Sequence, residues 1–212
     1  GRKLIEKVSN NSKIPVFKHL DGNCHTYIHA KAELSKAIKV TVNAKMRRPG
    51  ICGATESLII DKDIAADFVP KISEELTKLQ CEIRGDAESR SLATEIKPAR
   101  EDDYAAEYLD KIISIKIVTN IDAAIAHINK YSSKHTESII TEDAQAAQQF
   151  MQQIDSAIVI HNSSTQFADG GEFGLGAEIG ISTGRMHARG PVGLEQLVTY
   201  KYLVHGDGQI RP

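Results

Sequence analysis

The sequence predicts an α/β fold built on a mostly parallel sheet. From Ile112 to Ile160, short runs rich in Ile and Val alternate with stretches of helical periodicity, the pattern of repeated strand–helix units. A separate helical stripe runs through Leu34, Ala37, Ile38, Thr41 and Val42. With 212 residues, 41% hydrophobic and 25% charged, the chain can bury the core of one or two domains.

Lys3 to Asn10 reads as a short helix and Ile14 to Phe17 as a strand, with Asp21-Gly22-Asn23 as a turn. Thr26 to Ile28 is a second strand. Ala32 to Ala44 carries the helical stripe, and Pro49-Gly50 ends it. Ser57 to Ile60 is β-prone and leads into an amphipathic stretch from Ile64 to Leu79. Ile112 to Val118 reads as a strand, Asp122 to Tyr131 as a helix, Ser138 to Ile140 as a strand, Glu142 to Gln152 as a helix and Ala157 to Ile160 as a strand. Phe167 to Arg189 is dense in Gly and without period, so it reads as a long loop, and such loops usually carry function. Leu197 to Val204 alternates aromatic and aliphatic residues and reads as a final strand.

The net charge is −2 and Lys and Arg are scattered, so no electrostatic footprint for nucleic acid or an anionic membrane is expected. No apolar run approaches the roughly 20 residues that span a bilayer. No signal segment is read at the N-terminus, which opens at Gly1 without Met. Cys24, Cys52 and Cys81 form an odd set without a disulfide framework, which suits a reducing cytoplasm.

Cys52 stands out among them. It follows a helix end and a Pro-Gly break, among small neighbours Gly50, Gly53 and Ala54 that leave its sulfur and nearby N–H groups approachable. Arg47 and Arg48 are close enough in sequence to lower a thiol pKa and so favour a nucleophilic thiolate. A simply buried cysteine reads as well from spacing alone. Cys24 and Cys81 read as structural. Cys24, His25 and His29 suggest a metal site only if the segment is helical; Thr26, Tyr27 and Ile28 prefer a strand, and no metal is expected.

Three runs carry a resemblance: VNAKMRRPGICGATESLIID (Val42 to Asp61), VTNIDAAIAHINKYSSKHTESI (Val118 to Ile139) and FGLGAEIGISTGRMHARGPVGLEQLVTYKYLVHGDGQIR (Phe173 to Arg211). With IPVFKHLDGNCHTYI (Ile14 to Ile28), they resemble, in order and over nearly the whole chain, the C-terminal half of the gamma-glutamyl phosphate reductases, a branch of the aldehyde dehydrogenase superfamily. The resemblance implies an aldehyde-dehydrogenase-like catalytic domain and a reaction. In it Cys52 attacks L-glutamyl 5-phosphate, phosphate leaves, and NADPH reduces the thioester to glutamate 5-semialdehyde, a step of L-proline biosynthesis. It also implies a cytoplasmic homodimer. The backbone N–H of Cys52 is a candidate oxyanion donor.

Further roles come only from that resemblance. Glu107 matches the superfamily's ribose-binding Glu, against a plain helix-surface Glu. Asn162, Ser163 and Thr165 look like a substrate-side loop, against a polar turn; His135 and Arg189 are substrate-binding candidates, against fold support and a surface Arg. His19 stands where hydrolytic relatives carry a Glu base, and is a candidate general acid or base. Gln166 stands where an Arg is frequent, and Gly53 where an Asn is. The resemblance divides the chain into the end of a Rossmann-type cofactor domain (1–22), a catalytic cysteine domain (23–190) and a C-terminal oligomerisation strand (191–212). No Gly-x-Gly-x-x-Gly follows a strand, so the chain alone is expected to be poorly active. The alternative is a non-catalytic remnant serving as a dimerisation or binding module.

Overall fold

The computed structural model describes residues 2–212. Seven strands form one sheet in the order β4-β3-β5-β2-β1-β6-β7, and every neighbouring pair is parallel. These are β1 (Cys24–Ile28), β2 (Thr55–Asp61), β3 (Glu82–Gly85), β4 (Lys97–Pro98), β5 (Ile112–Val118), β6 (Thr136–Ile140) and β7 (Ile158–His161). The expected α/β class with a mostly parallel sheet is therefore what forms. β1, β2 and β6 are buried along their whole length, which is why their sequences read as continuous rather than alternating runs.

Helices cover both faces. α2 (Leu34–Met46), α3 (Lys62–Lys78) and α4 (Ala87–Leu92) lie on one side, where Phe68, Ile72 and Leu76 meet Ile28, Leu58, Ile60, Ile113 and Ile115. α5 (Ile121–Tyr131) and α6 (Ala144–Gln153) lie on the other, where Ile125, Ile128 and Phe150 meet Tyr27, Ile59 and Ile139. The caps are local: Glu33 accepts from the N–H groups of Ser35 and Lys36, Asp61 from Asp63, Asn120 from Ala123 and Asp143 from Gln145 and Ala146. No described helix is long and apolar enough to cross a membrane.

Four sequence expectations are corrected. Ile14 to Phe17 is irregular chain rather than a strand: it pairs with no described strand, and Pro15 has no N–H to give. Leu197 to Val204 forms no strand either; a strand needs a pairing partner, and among the described residues this tail has none. The Gly-rich stretch is not wholly loop, because β8 (Gly180–Ser182) pairs antiparallel with β9 (Gly190–Val192). β3 and the edge strand β4 escaped the sequence reading because they are short and carry charged residues (Glu82, Arg84, Lys97), a common feature at sheet edges. The N-terminal helix is longer than expected, as α1 (Arg2–Asn11), and buries none of its residues.

Candidate active site

Cys52 lies in the turn between the end of α2 and the start of β2, half-buried, on the wall of a cleft of about 490 Å³. The break at Pro49-Gly50 lifts the chain off α2, and β2 then enters the sheet, so the thiol is left at the amino ends of the central strands. Two further segments converge there. Gly22 packs against the backbone of Cys52 so closely that a β-carbon on it would lie 2.7 Å from the Cys52 Cα and Cβ. Only glycine permits this approach. Cys24, the first residue of β1, donates its S–H to the carbonyl oxygen of Cys52 at 3.1 Å. Its thiol is buried and its pKa is pushed well up by burial.

His135 precedes β6 and is fully buried beside Cys24, its Nδ1 2.9 Å from the Thr136 hydroxyl and 3.5 Å from the Cys24 sulfur. Burial and the neighbouring His19 ring push its pKa down to about 3, so the imidazole is neutral. His19 sits edge-on to it, ring centroids 5.1 Å apart, with its Nδ1 2.7 Å from the Ile181 carbonyl. One ring nitrogen of each histidine and the Cys52 sulfur all lie within 4.8 Å of one another.

Electrostatics at the sulfur run against the sequence expectation. Burial raises the Cys52 pKa, and the carboxylates of Glu107 and Glu178 raise it further. The N–H groups of Cys52 and Gly53 pull the other way. Arg47 is turned toward Gln166, Nη1 to Oε1 at 3.4 Å. The thiol is reachable but is not ionised by its sequence neighbours.

The chain after β7 explains the other wall. Asn162, at φ 56°, exchanges hydrogen bonds with the backbone of Thr141, Ser163 accepts from Ser138, and Thr165 reaches the Thr55 hydroxyl at 2.9 Å. This segment thus runs back across the sheet from the carboxyl end of β6 to the amino end of β2. It delivers Ser164, Gln166, Phe167 and Ala168 to the lining of the Cys52 cleft. Gln166 fastens the junction, donating Nε2 to the Ala44 carbonyl at 2.8 Å.

Of the residues singled out from sequence, Cys52 and His135 are brought together. Glu107 stands nearby with Oε1 accepting from the Gly22 N–H at 2.7 Å. Asn162, Ser163 and Thr165 are spent on holding the crossing segment and are not among the residues lining the cleft. Arg189 is not there either; it binds the Asp155 carboxylate at 2.9 Å. Cys24, His25 and His29 do not gather: along β1 the Cys24 side chain points to one face and the two histidines to the other. His25 is bound to Glu137 and His29 to Thr141.

Residues 1–110 match the aldehyde dehydrogenase family. The chain belongs to the aldehyde dehydrogenase family. The chain is 59% identical over 212 residues to the gamma-glutamyl phosphate reductase of Rhodospirillum rubrum and 57% identical to that of Hyphomonas neptunium, covering 100% of this chain and 50% of each relative. It spans about half the length of the curated relatives it matches. The solved gamma-glutamyl phosphate reductase of Thermotoga maritima superposes with a TM-score of 0.94 at 50% identity, over 100% of this chain and 51% of that one. An acetylating aldehyde dehydrogenase from Geobacillus thermoglucosidasius shares the fold, with a TM-score of 0.77 at 17% identity, over 100% of this chain and 56% of that one. The resemblance read from the sequence motifs is borne out.

In this aldehyde dehydrogenase-family chain, sequence reasoning missed the polar residues that line the cleft. Asn43, Asp169, Glu172 and Glu178 all belong to that lining. Asp169 and Glu172 lie inside the Gly-rich stretch, whose loop character was the only available signal. The run around His135 also has a structural meaning. Glu137 is fully buried and accepts from the backbone N–H of His25 at 2.8 Å, from the hydroxyl of Ser132, and from Ser156 at 3.2 Å. Those bonds fix the start of β6 against β1, and with it the position of His135.

Proposed function

We propose that this chain is the catalytic-cysteine portion of a gamma-glutamyl phosphate reductase, converting L-glutamyl 5-phosphate to glutamate 5-semialdehyde and phosphate. The observation that carries the reading is the Cys52 thiol on the wall of a cleft whose lining includes Arg47 and Arg48 together with Asp169, Glu172 and Glu178. A substrate with an acyl phosphate, an α-carboxylate and an α-ammonium group needs both signs of charge around one electrophilic carbon. Arg47 and Arg48 suit the anionic groups, and the acids suit the ammonium.

Cys52 first surrenders its proton, for which His19 is the nearby base; His135, with its pKa near 3, is the poorer one. The sulfur then bonds to the acyl carbon and the C–O bond to phosphate breaks, leaving a thioester. The N–H groups that face the sulfur, those of Cys52 and Gly53, are placed to stabilise negative charge developing beside it. When bound, a reduced nicotinamide, NADPH on this reading, would supply the hydride that reduces the thioester. The oxyanion of the resulting tetrahedral thiohemiacetal then forms the C=O bond as the C–S bond breaks, releasing the aldehyde and the Cys52 thiolate. No carboxylate at the His19 position activates water against the thioester. Glu107 fits a ribose: one carboxylate oxygen is taken by the Gly22 N–H, leaving the other for a hydroxyl.

The domain reading follows from the same proposal. Residues 1–22 close a cofactor domain; their apolar side chains Leu4, Ile5, Val8 and Phe17 share a cavity of about 390 Å³ with Ile179, Ile181, Val192 and Leu197 of the chain's later part. Residues 23–190 form the catalytic domain. Residues 191–212, where Tyr200, Tyr202, Leu203 and Val204 are all exposed, form a strand on pairing with a second copy in a cytoplasmic dimer. The test is phosphate-dependent reduction of NADP with glutamate 5-semialdehyde, on the full-length protein. Activity lost on Cys52→Ser with the fold kept supports the reductase; no activity in the full-length protein favours a non-catalytic module.

A further inference from the structure

The structure assigns a soft divalent-cation site, of the kind zinc occupies, to the Cys52 thiol and the imidazoles of His19 and His135. Sulfur and imidazole nitrogen are the donors zinc prefers, and three protein ligands plus water is its usual open arrangement. The three donor atoms lie within 4.8 Å of one another. Ligands of a tetrahedral zinc stand roughly 3.3–3.7 Å apart, given bonds of about 2.0–2.3 Å. A contraction of about an ångström therefore closes the site.

Two observations beyond proximity point to a ligand. His135 is fully buried, yet its Nε2 has no hydrogen-bond partner among the described residues, while its Nδ1 is occupied by the Thr136 hydroxyl. A buried imidazole nitrogen left bare is costly unless something binds it. His19 places its Nδ1 on the Ile181 carbonyl at 2.7 Å. An N–H donated there leaves Nε2 as a lone pair, the tautomer and outer contact that metal-binding histidines commonly use. The cleft beside Cys52 is open to a water as fourth ligand, and Glu107 and Glu178 supply negative potential to a cation.

Binding replaces the S–H bond of Cys52 by a sulfur–metal bond and releases the proton to solvent; nothing is oxidised or reduced. The bound sulfur is no longer a nucleophile, so the site is a reversible block on the thiol. Binding requires no substrate, so the proposal stands or falls apart from the reductase reading.

Titration of the reduced full chain with cobalt(II) tests it, with zinc added afterwards in competition. One equivalent of cobalt should bring a thiolate-to-cobalt charge-transfer band and the visible bands of a tetrahedral ion, and zinc should abolish both. Cys52→Ser should remove the charge-transfer band. His19→Gln, on an irregular segment where a folding defect is not expected, should weaken binding by about tenfold or more, equivalent to about 1.4 kcal/mol. His205→Gln, in the exposed tail, should change nothing. A band that survives Cys52→Ser, an affinity unmoved by His19→Gln, or no band at millimolar cobalt would overturn the assignment.

Discussion

Gly22 and the Cys52 backbone are in such close contact that a single methyl group on Gly22 would sit 2.7 Å from both the Cα and the Cβ of Cys52. The nearest atoms include backbone, which cannot swing aside as a side-chain tip can. Gly22→Ala is expected to push the Cys52 turn outward. Overpacking of this kind costs about 1–3 kcal/mol, readable as a lower urea midpoint. The alkylation rate of Cys52 should change as well. An unchanged midpoint and rate would mean that the turn accommodates the methyl group.

Beneath the site, Lys45 and Glu56 form an ion pair with both side chains fully buried. Burial raises the Glu56 pKa to about 7 against the pull of Lys45, and Glu56 also accepts from the Leu109 N–H at 3.1 Å. Lys45→Met should cost about 3 kcal/mol by stranding the carboxylate. Lys45→Met combined with Glu56→Leu should recover much of that loss, since a buried pair and an apolar replacement of similar volume often balance. Chemical denaturation of the three proteins decides it.

His127 gives the fold a pH dependence of predictable sign. Burial, then the neighbouring His25, push its pKa down to about 3, and its Nε2 is buried without a partner. Its contribution to stability is complete above the unfolded value of about 6.5 and is lost as pH falls toward 3, because the unfolded chain binds the proton first. Glu56, with its raised pKa, acts in the opposite sense between about 4.5 and 7. A difference measurement separates them. Between about pH 4 and 6, His127→Phe should flatten the stability profile by about 1.4 kcal/mol per pH unit. Equal slopes would show that the ring is protonated in the fold.

Glu107 holds the Cys52 pKa up by charge while keeping its bond to Gly22. Glu107→Gln removes the charge and retains an acceptor oxygen. The pH profile of Cys52 alkylation should therefore move to lower pH, with the rate at neutral pH increased. A shift in the other direction would show that the carboxylate serves the thiol as a base.

Much of the fold was legible because burial writes itself plainly into sequence. Leu58, Ile59 and Ile60 are apolar without break, and Ile112 to Val118 is interrupted only by Ser114 and Lys116, because helices cover both sides of the sheet. Ile14 to Phe17 has the composition of a strand and no neighbour to pair with, which no local pattern reveals. Cys52 was legible as a loop cysteine. Its surroundings were not, since they depend on chain geometry: Gly22, Cys24 and His135 reach it only because β1, β2 and β6 begin side by side. Arg47 illustrates the limit most clearly. Nearness in sequence suggested a charge acting on the thiol, whereas the folded chain commits it toward Gln166.

Cys52 is the reachable thiol, whereas Cys24 is fully buried and Cys81 is packed in the core, where burial pushes its pKa to about 12. Rate-resolved alkylation of the native chain by iodoacetamide, read by peptide mass spectrometry, tests this directly. Cys52 should react at least about a hundredfold faster than Cys24 or Cys81, which must wait for the chain to open. Equal rates at the three thiols, or faster labelling of Cys24, would contradict it.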